Sequence, residues 1–375
     1  VLSILKDLRM LADRMAFFDS SGIRKVFDLA AKMTNPINLS IGQPDFDVPE
    51  PARFAAIEAI NGRMNGYSVT QGDKALHEKL TARIADEYRH ADRQVLVTSG
   101  TSGGLVLAIL ALVNPGDEVI VFDPYFVMYE SLVRLAGGNI VLVDTYPDFR
   151  FDIEKVRKAI TPRTKMILFN SPANPTGAVA DANTTRDIAK LADERGIVLV
   201  SDEIYRLFCY QPFVSPASFS ERVVVVDGFS KSYGMTGWRV GFAHGPGEII
   251  QAMTRMQQYT FVCSPHPLQF GAAAAMDVDM TGDIETYKSK RDRIVAGLAN
   301  DFELVTPEGA FYAFPKAPWG TASEFVAAAI EREVLIIPGS IFSRRDTHFR
   351  ISYAASDETL DRGIAILRAL ARKGR

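Results

Sequence analysis

Five short apolar runs in this chain are each followed by side chains that can do chemistry. Gln94–Thr98 leads into Ser99-Gly100-Thr101-Ser102-Gly103-Gly104, and Glu118–Phe122 into Asp123-Pro124-Tyr125-Phe126. Lys165–Phe169 leads into Asn170-Ser171-Pro172-Ala173-Asn174-Pro175-Thr176-Gly177. Ile197–Val200 leads into Ser201-Asp202-Glu203-Ile204-Tyr205, and Val223–Val226 into Asp227-Gly228-Phe229-Ser230-Lys231. If the runs are strands of one open α/β sheet, these segments meet at its carboxyl edge, where such sheets bind ligands. Together they offer an anion loop, aromatic rings, an amide, a carboxylate with a nearby phenol, and a lysine. That set suits an aromatic cation that bears a phosphate and is bonded to an amine.

Each residue also has a plainer reading. The Gly100-Thr101-Ser102 turn opens a helix, whose first N–H groups attract anions. It is equally the form of an ordinary tight loop, and it matches neither the P-loop pattern nor a dinucleotide fingerprint. Asp202 follows Val, Leu and Val, where a carboxylate is costly unless paired. A protonated ring nitrogen would pair with it, and so would a structural loop cap. Tyr205 could reach the same ring or be a core tyrosine. Lys231, if desolvated, has a lowered pKa and can form a Schiff base, although most lysines lie on the surface. Arg239 could hold a phosphate through a bidentate pair. For Arg350, in Phe349-Arg350-Ile351-Ser352-Tyr353, alternation favours solvent over a cleft.

These residues need elements to position them. Between about 92 and 245, mostly apolar runs alternate with helix-length stretches such as Val127–Leu135 and Thr184–Glu194. Two further runs are Asn139–Val143 and Arg239–Ala243. Apolar rather than alternating strands predict a mainly parallel sheet covered on both faces. After about 285 the pattern changes to a charged helix, Glu285–Asn300, short strands at Ala310–Phe314 and His348–Tyr353, and a final helix, Glu358–Lys373. The expected division is a large domain over 48–285 and a smaller α+β domain from 1–47 and 286–375.

Composition narrows the partners. Lys+Arg number 42 against Asp+Glu 45, so charge gives no reason to expect nucleic acid or an anionic membrane. No uncharged apolar run reaches spanning length. The N-terminal VLSILKDLRMLADRM reads as an amphipathic helix or docking arm. Cys209 and Cys263 form neither a disulfide framework nor a metal-ligand cluster, so no metal and a cytoplasmic setting are expected.

SPANPTG, SDEIY and FSKSYGMTGWRVG resemble, in order and spacing, the motifs of class I/II aminotransferases among the fold-type I pyridoxal-phosphate enzymes. The resemblance extends along the chain through INLSIGQPDFDVPEP, GYSVTQGDKALHEKL, LIIPGSIF and HFRISYA. It implies pyridoxal 5'-phosphate bound to Lys231, which then acts as general base, with Asp202 on the ring nitrogen. It implies Tyr205 and Asn174 on the ring's phenolic oxygen and Phe126 stacked on the ring. Gly100, Thr101, Ser102 and Arg239 would hold the phosphate, with Tyr67 from the other subunit of a homodimer with shared active sites. Arg350, Gly42 and Asn174 would hold the substrate α-carboxylate. One departure is Gly228, where many relatives have a phosphate-binding serine; Ser230 could substitute for it.

The expected reaction moves an amino group between an amino acid, aspartate or aromatic, and a 2-oxo acid such as 2-oxoglutarate. A C–S β-lyase or a cyclopropane-forming synthase would share its first steps. A non-catalytic regulator that binds the same cofactor is a third reading, disfavoured by the complete Lys/Asp/Tyr/Arg set.

Overall fold

The computed structural model describes residues 11–18, 33 and 35–373. Residues 1–10 of the expected N-terminal amphipathic stretch lie outside this range; just after them, Asp13–Phe17 forms a short 3-10 helix.

The central sheet comprises β1 (Arg93–Thr98), β2 (Glu118–Asp123), β3 (Asn139–Asp144), β4 (Thr164–Asn170), β5 (Val198–Asp202), β6 (Val224–Gly228) and β7 (Gly241–Pro246). Their order is β1-β7-β6-β5-β4-β2-β3. Only β7 runs against its neighbours β1 and β6; the other pairs are parallel. The expected mainly parallel sheet is therefore present, with boundaries within three residues of those expected.

Why the strands read as continuously apolar is visible in the packing. Successive side chains leave opposite faces of a strand. Val95, Val97, Ile120, Phe122 and Leu199 enter one core with α2 (Lys74–Tyr88) and α5 (Ala182–Arg195). Leu96, Val119, Val121, Val200 and Val226 enter another with α3 (Gly100–Leu112), α4 (Met128–Leu135) and α6 (Gly247–Gln258). Capping fixes where helices begin: the Asp73 carboxylate accepts from Ala75 N–H at 2.9 Å at the start of α2, and Asp181 does the same for Thr184 at 2.8 Å in α5. Helix α1 (Glu50–Asn61) packs on α7 (His266–Ala275).

The C-terminal part builds its own core. A three-stranded antiparallel sheet places Phe349–Ser352 between Ile337–Pro338 and Tyr312–Ala313. Ile37–Asn38 runs parallel to Val334–Leu335, so the early chain is stitched to this region. Ile37, Leu39, Phe311, Phe325 and Ile351 share that core with α8 (Thr281–Leu298) and α9 (Asp357–Lys373). The expected strand at Arg239–Ala243 begins instead at Gly241. Arg239 has a left-handed backbone, with φ of 57°, and sits in the turn before the strand. No helix of the described residues is long and apolar enough to cross a membrane.

Candidate active site

A cleft of about 570 Å³ opens at the carboxyl ends of the parallel strands. Its wall brings together Gly42, Thr101, Ser102, Phe126, Asn174, Asp202, Tyr205, Ser230, Lys231, Arg239 and Arg350, every one a residue singled out from sequence. A separate hollow of about 410 Å³, beside His77 and Arg93, contains none of them. Gly100 lies immediately behind the wall, and Tyr67 does not line the cleft of its own chain and is 85% exposed.

Strand alternation puts Asp202 on the α3–α4 side, in register with Asn170 of β4. The Tyr129 hydroxyl donates to Asp202 Oδ2 at 2.7 Å, and the Ile204 N–H reaches Oδ1 at 3.3 Å. Burial nevertheless pushes the Asp202 carboxyl up to about 6, against the pull of those two hydrogen bonds.

Lys231 lies in a one-turn helix, Phe229–Ser232, directly after β6. Its Nζ donates to the Gly42 carbonyl. Burial pushes the amine down to about 8, helped by the charges of Arg350 and Arg239 and opposed by Asp202. The lowered value makes the neutral amine that carbonyl chemistry needs far more accessible than in a free lysine.

Arg350 is where pattern misleads. Alternation favoured solvent, yet the side chain is 1% exposed. Its Nη1 donates to Asn174 Oδ1 at 3.0 Å and its Nη2 to the Ser40 carbonyl at 2.8 Å. The guanidinium stacks 4.4 Å from the Tyr312 ring centre and 4.8 Å from that of Phe342. The reason is that both faces of the short C-terminal sheet are covered, so alternation there separates core from cleft. Nε is buried without a partner, which leaves a planar donor for an anion.

The anion corner is made at the start of α3. Ser99 makes no side-chain capping bond. Gly100, at φ of +67°, passes under the Arg239 guanidinium, and a Cβ built there would lie 2.5 Å from Arg239 Nη2. Ser230 Oγ is 3.5 Å from Arg239 Nη1. Thr101 Oγ1 is buried and unpartnered. Orphaned donors around a glycine turn and a guanidinium are what a phosphate requires.

Tyr129 and Tyr312 are the residues that sequence reading missed. Tyr129 stands one helical turn after Phe126, a spacing that could have flagged it. The Tyr312 hydroxyl lies 2.9 Å from that of Tyr205. Nothing in the apolar run around Tyr312 announces it.

A lysine, a buried carboxylate and an arginine converging at strand ends define a site for a carbonyl cofactor acting on an anionic amine. The chain belongs to the aminotransferase class I and II family, which matches residues 34–367. It is a pyridoxal-phosphate-dependent aminotransferase of fold type I. It is 36% identical to the probable aspartate aminotransferase of Methanocaldococcus jannaschii, over 96% of this chain and 100% of that one. It is 34% identical to aromatic-amino-acid aminotransferase 2 of Thermococcus litoralis, over 94% of this chain and 95% of that one. The Thermus thermophilus aspartate aminotransferase solved with maleate superposes with a TM-score of 0.89 at 33% identity, covering 96% of this chain and 100% of that one.

An acid whose folded pKa is raised binds its proton more tightly when folded. The stability this gives is complete below the unfolded value and is lost as pH rises through about 6 for Asp202. In the cofactor-free protein, Asp202→Asn is therefore expected to unfold at higher urea than the parent near pH 8. The gain is roughly 2–3 kcal/mol, and it should vanish below about pH 4. Parallel stability curves for the two proteins across that range would refute the burial cost assigned to Asp202.

Proposed function

We propose that this cleft moves an amino group between an amino acid, with aspartate or an aromatic amino acid favoured, and a 2-oxo acid such as 2-oxoglutarate. The observation that carries the reading is the convergence of Lys231 with the buried Asp202 and Arg350 on the wall of one cleft. The choice of donor is supported by the aspartate and aromatic aminotransferases among the similar proteins. When bound, pyridoxal phosphate supplies an electron-poor ring that stabilises negative charge at the amino acid's α-carbon.

The chain's own groups have distinct tasks in this proposal. Lys231 anchors the cofactor, and its neutral Nζ then takes and returns the α-proton. Asp202, held by Tyr129, would keep a proton on the ring nitrogen, and Tyr205 and Asn174 would bind the ring's phenolic oxygen. Phe126 would lie against the ring. Gly100, Thr101, Ser102, Ser230 and Arg239 would hold the phosphate. Arg350, with Gly42 and Asn174, orients the substrate α-carboxylate, so that the α-proton faces Lys231. The division of the chain into 48–285 and 1–47 with 286–375 fits a cleft lined from both parts. We place the reaction in a reducing cytoplasm, in keeping with Cys209 and Cys263 as free thiols.

A second copy of the chain completes the proposal. Tyr67 at 85%, Val69 at 68%, Phe54 at 56% and Tyr259 at 89% exposure present large apolar side chains to solvent. Covering them in a homodimer would bring Tyr67 to the partner's phosphate.

Borohydride treatment of the yellow holoenzyme should fix the cofactor to Lys231, as read by peptide mapping; a label on another lysine overturns the assignment. Arg350→Lys keeps the charge and loses the fork. It should lower kcat/KM for two different amino donors by about one to two decades, equivalent to roughly 1.5–3 kcal/mol, while cofactor affinity holds. An unchanged kcat/KM would make Arg350 a structural residue only.

Sedimentation should show a dimer at working concentration. A fully active monomer would remove Tyr67 from the site.

A further inference from the structure

Tyr312 stands between the Arg350 guanidinium and the Tyr205 phenol, two groups with separate tasks. Strand pairing puts it there. Tyr312 lies opposite Ser352 in the antiparallel pair, and Arg350 is two residues before Ser352, on the same face. Both side chains reach the wall of the cleft. The Arg350 guanidinium carbon lies 4.4 Å from the Tyr312 ring centre. The Tyr312 hydroxyl lies 2.9 Å from that of Tyr205, with the two rings edge to face and 5.7 Å between centres. A Cβ built on Gly42 would come within 3.0 Å of the Tyr312 hydroxyl, so glycine there leaves the hydroxyl its room. Tyr205 is three residues beyond Asp202, so this one bond joins the C-terminal core to the end of β5.

Proton counting gives the bond a direction. A phenol has one proton to donate and can also accept. If Tyr205 gave its proton to Tyr312, none would be left for the phenolic oxygen of the cofactor ring. If Tyr312 gives, Tyr205 keeps its own. The charge of Arg350 favours the second arrangement. Burial raises the Tyr312 phenol, and the guanidinium against its ring works the other way, easing release of the proton. At Tyr205, burial and then Tyr312 itself both hold the proton in place. The phenol beside the cation is the stronger donor of the two.

We infer that Tyr312 is a positioning residue: its hydroxyl donates to Tyr205 and so directs the Tyr205 proton at the phenolic oxygen of the cofactor ring. The inference rests on the site reading proposed above. Hydrogen bonds in series strengthen one another, so Tyr205 is also a better donor with Tyr312 behind it. A donor aimed at the phenolic oxygen stabilises that oxygen as an anion. The bound cofactor then gives up its proton at a lower pH. The arginine that orients the substrate carboxylate thereby acts on the cofactor ring through one phenol.

The test reads, by absorbance, the pH midpoint of the colour change of the cofactor in the holoenzyme. Tyr312→Phe keeps the ring against Arg350 and loses the hydroxyl. It should raise the midpoint by roughly 0.5–1 pH unit. Binding of maleate, a dicarboxylate with neither amine nor ketone, should hold. Tyr205→Phe should raise the midpoint by more than Tyr312→Phe does. Adding Tyr312→Phe to Tyr205→Phe should then move it no further, because Tyr312 acts through Tyr205. An unmoved midpoint in Tyr312→Phe would overturn the inference, as would the same shift with and without the Tyr205 hydroxyl. Weakened maleate binding at an unmoved midpoint would make Tyr312 a support for Arg350 only. A Tyr312→Phe protein that no longer retains pyridoxal phosphate would overturn it too. The site reading fails separately, if the unaltered protein does not carry pyridoxal phosphate on Lys231.

Discussion

Asp202 ends a strand of valine and leucine with its carboxylate fully desolvated, and much of the site is arranged around that cost. A single phenol, Tyr129, and one backbone N–H are the groups that bond it. They are not enough to keep its pKa in the ordinary carboxylate range. A buried carboxylate in this state has a strong preference for a cationic partner of the right shape. The fold meets that preference by aiming Asp202 into a cleft and not into the core. Tyr129 comes from α4, whose placement follows from the loop after β2, so the orientation of the carboxylate depends on two strands and a helix at once.

The same desolvation acts with the opposite sign on Lys231. Arg350 and Arg239 add their charges to the burial, and the amine drops to about 8. Asp202 pulls the other way. The cleft therefore holds a weak acid raised and a weak base lowered, each by loss of water first and by its neighbours second. A pair of groups moved toward neutrality from both sides suits chemistry that shifts a proton without generating free charge. Arg350 is held in the cleft by the rings of Tyr312 and Phe342 against its guanidinium and by two acceptors that take its Nη atoms.

Much of this was legible in the residues because the sheet is parallel. Strands covered on both faces announce themselves as unbroken apolar runs, and whatever follows each run must lie at one edge. That logic alone gathers Thr101, Phe126, Asn174, Asp202 and Lys231, and the ordered motifs then identify the family. It stops where position no longer dictates direction. Arg350 sits on a four-residue strand whose alternation reads as solvent-facing, and it lies in the cleft only because of how the C-terminal core closes over it. Tyr312 belongs to that core, and its hydroxyl meets Tyr205 only because two distant segments pack together. Arg239 was placed beside a strand, and its left-handed backbone, which turns the guanidinium over Gly100, has no residue-type signature. Gly228 looked like a missing serine; that a Cβ there would crowd the Thr101 hydroxyl and Gly241 Cα, at 2.8 and 3.0 Å, is a matter of packing that residue type does not announce.

The segment Ser201-Asp202-Glu203 shows how one strand end serves two environments. Alternation sends Asp202 toward the cleft and Ser201 with Glu203 to the opposite side. There the Ser201 and Ser215 hydroxyls donate to Glu203 Oε1, while burial pushes the Glu203 carboxyl up to about 7. Arg206 lowers it and is itself paired with Glu87 from α2. Asp227, at the end of the adjacent strand, raises both Asp202 and Glu203. A carboxylate in the cleft and another behind it thus feel the same neighbour through the sheet. Burial of Glu203 disfavours its charged form, so the negative charge behind Asp202 is less than two free carboxylates would carry. The charge state that the cleft needs is in this way set partly by groups that never touch it.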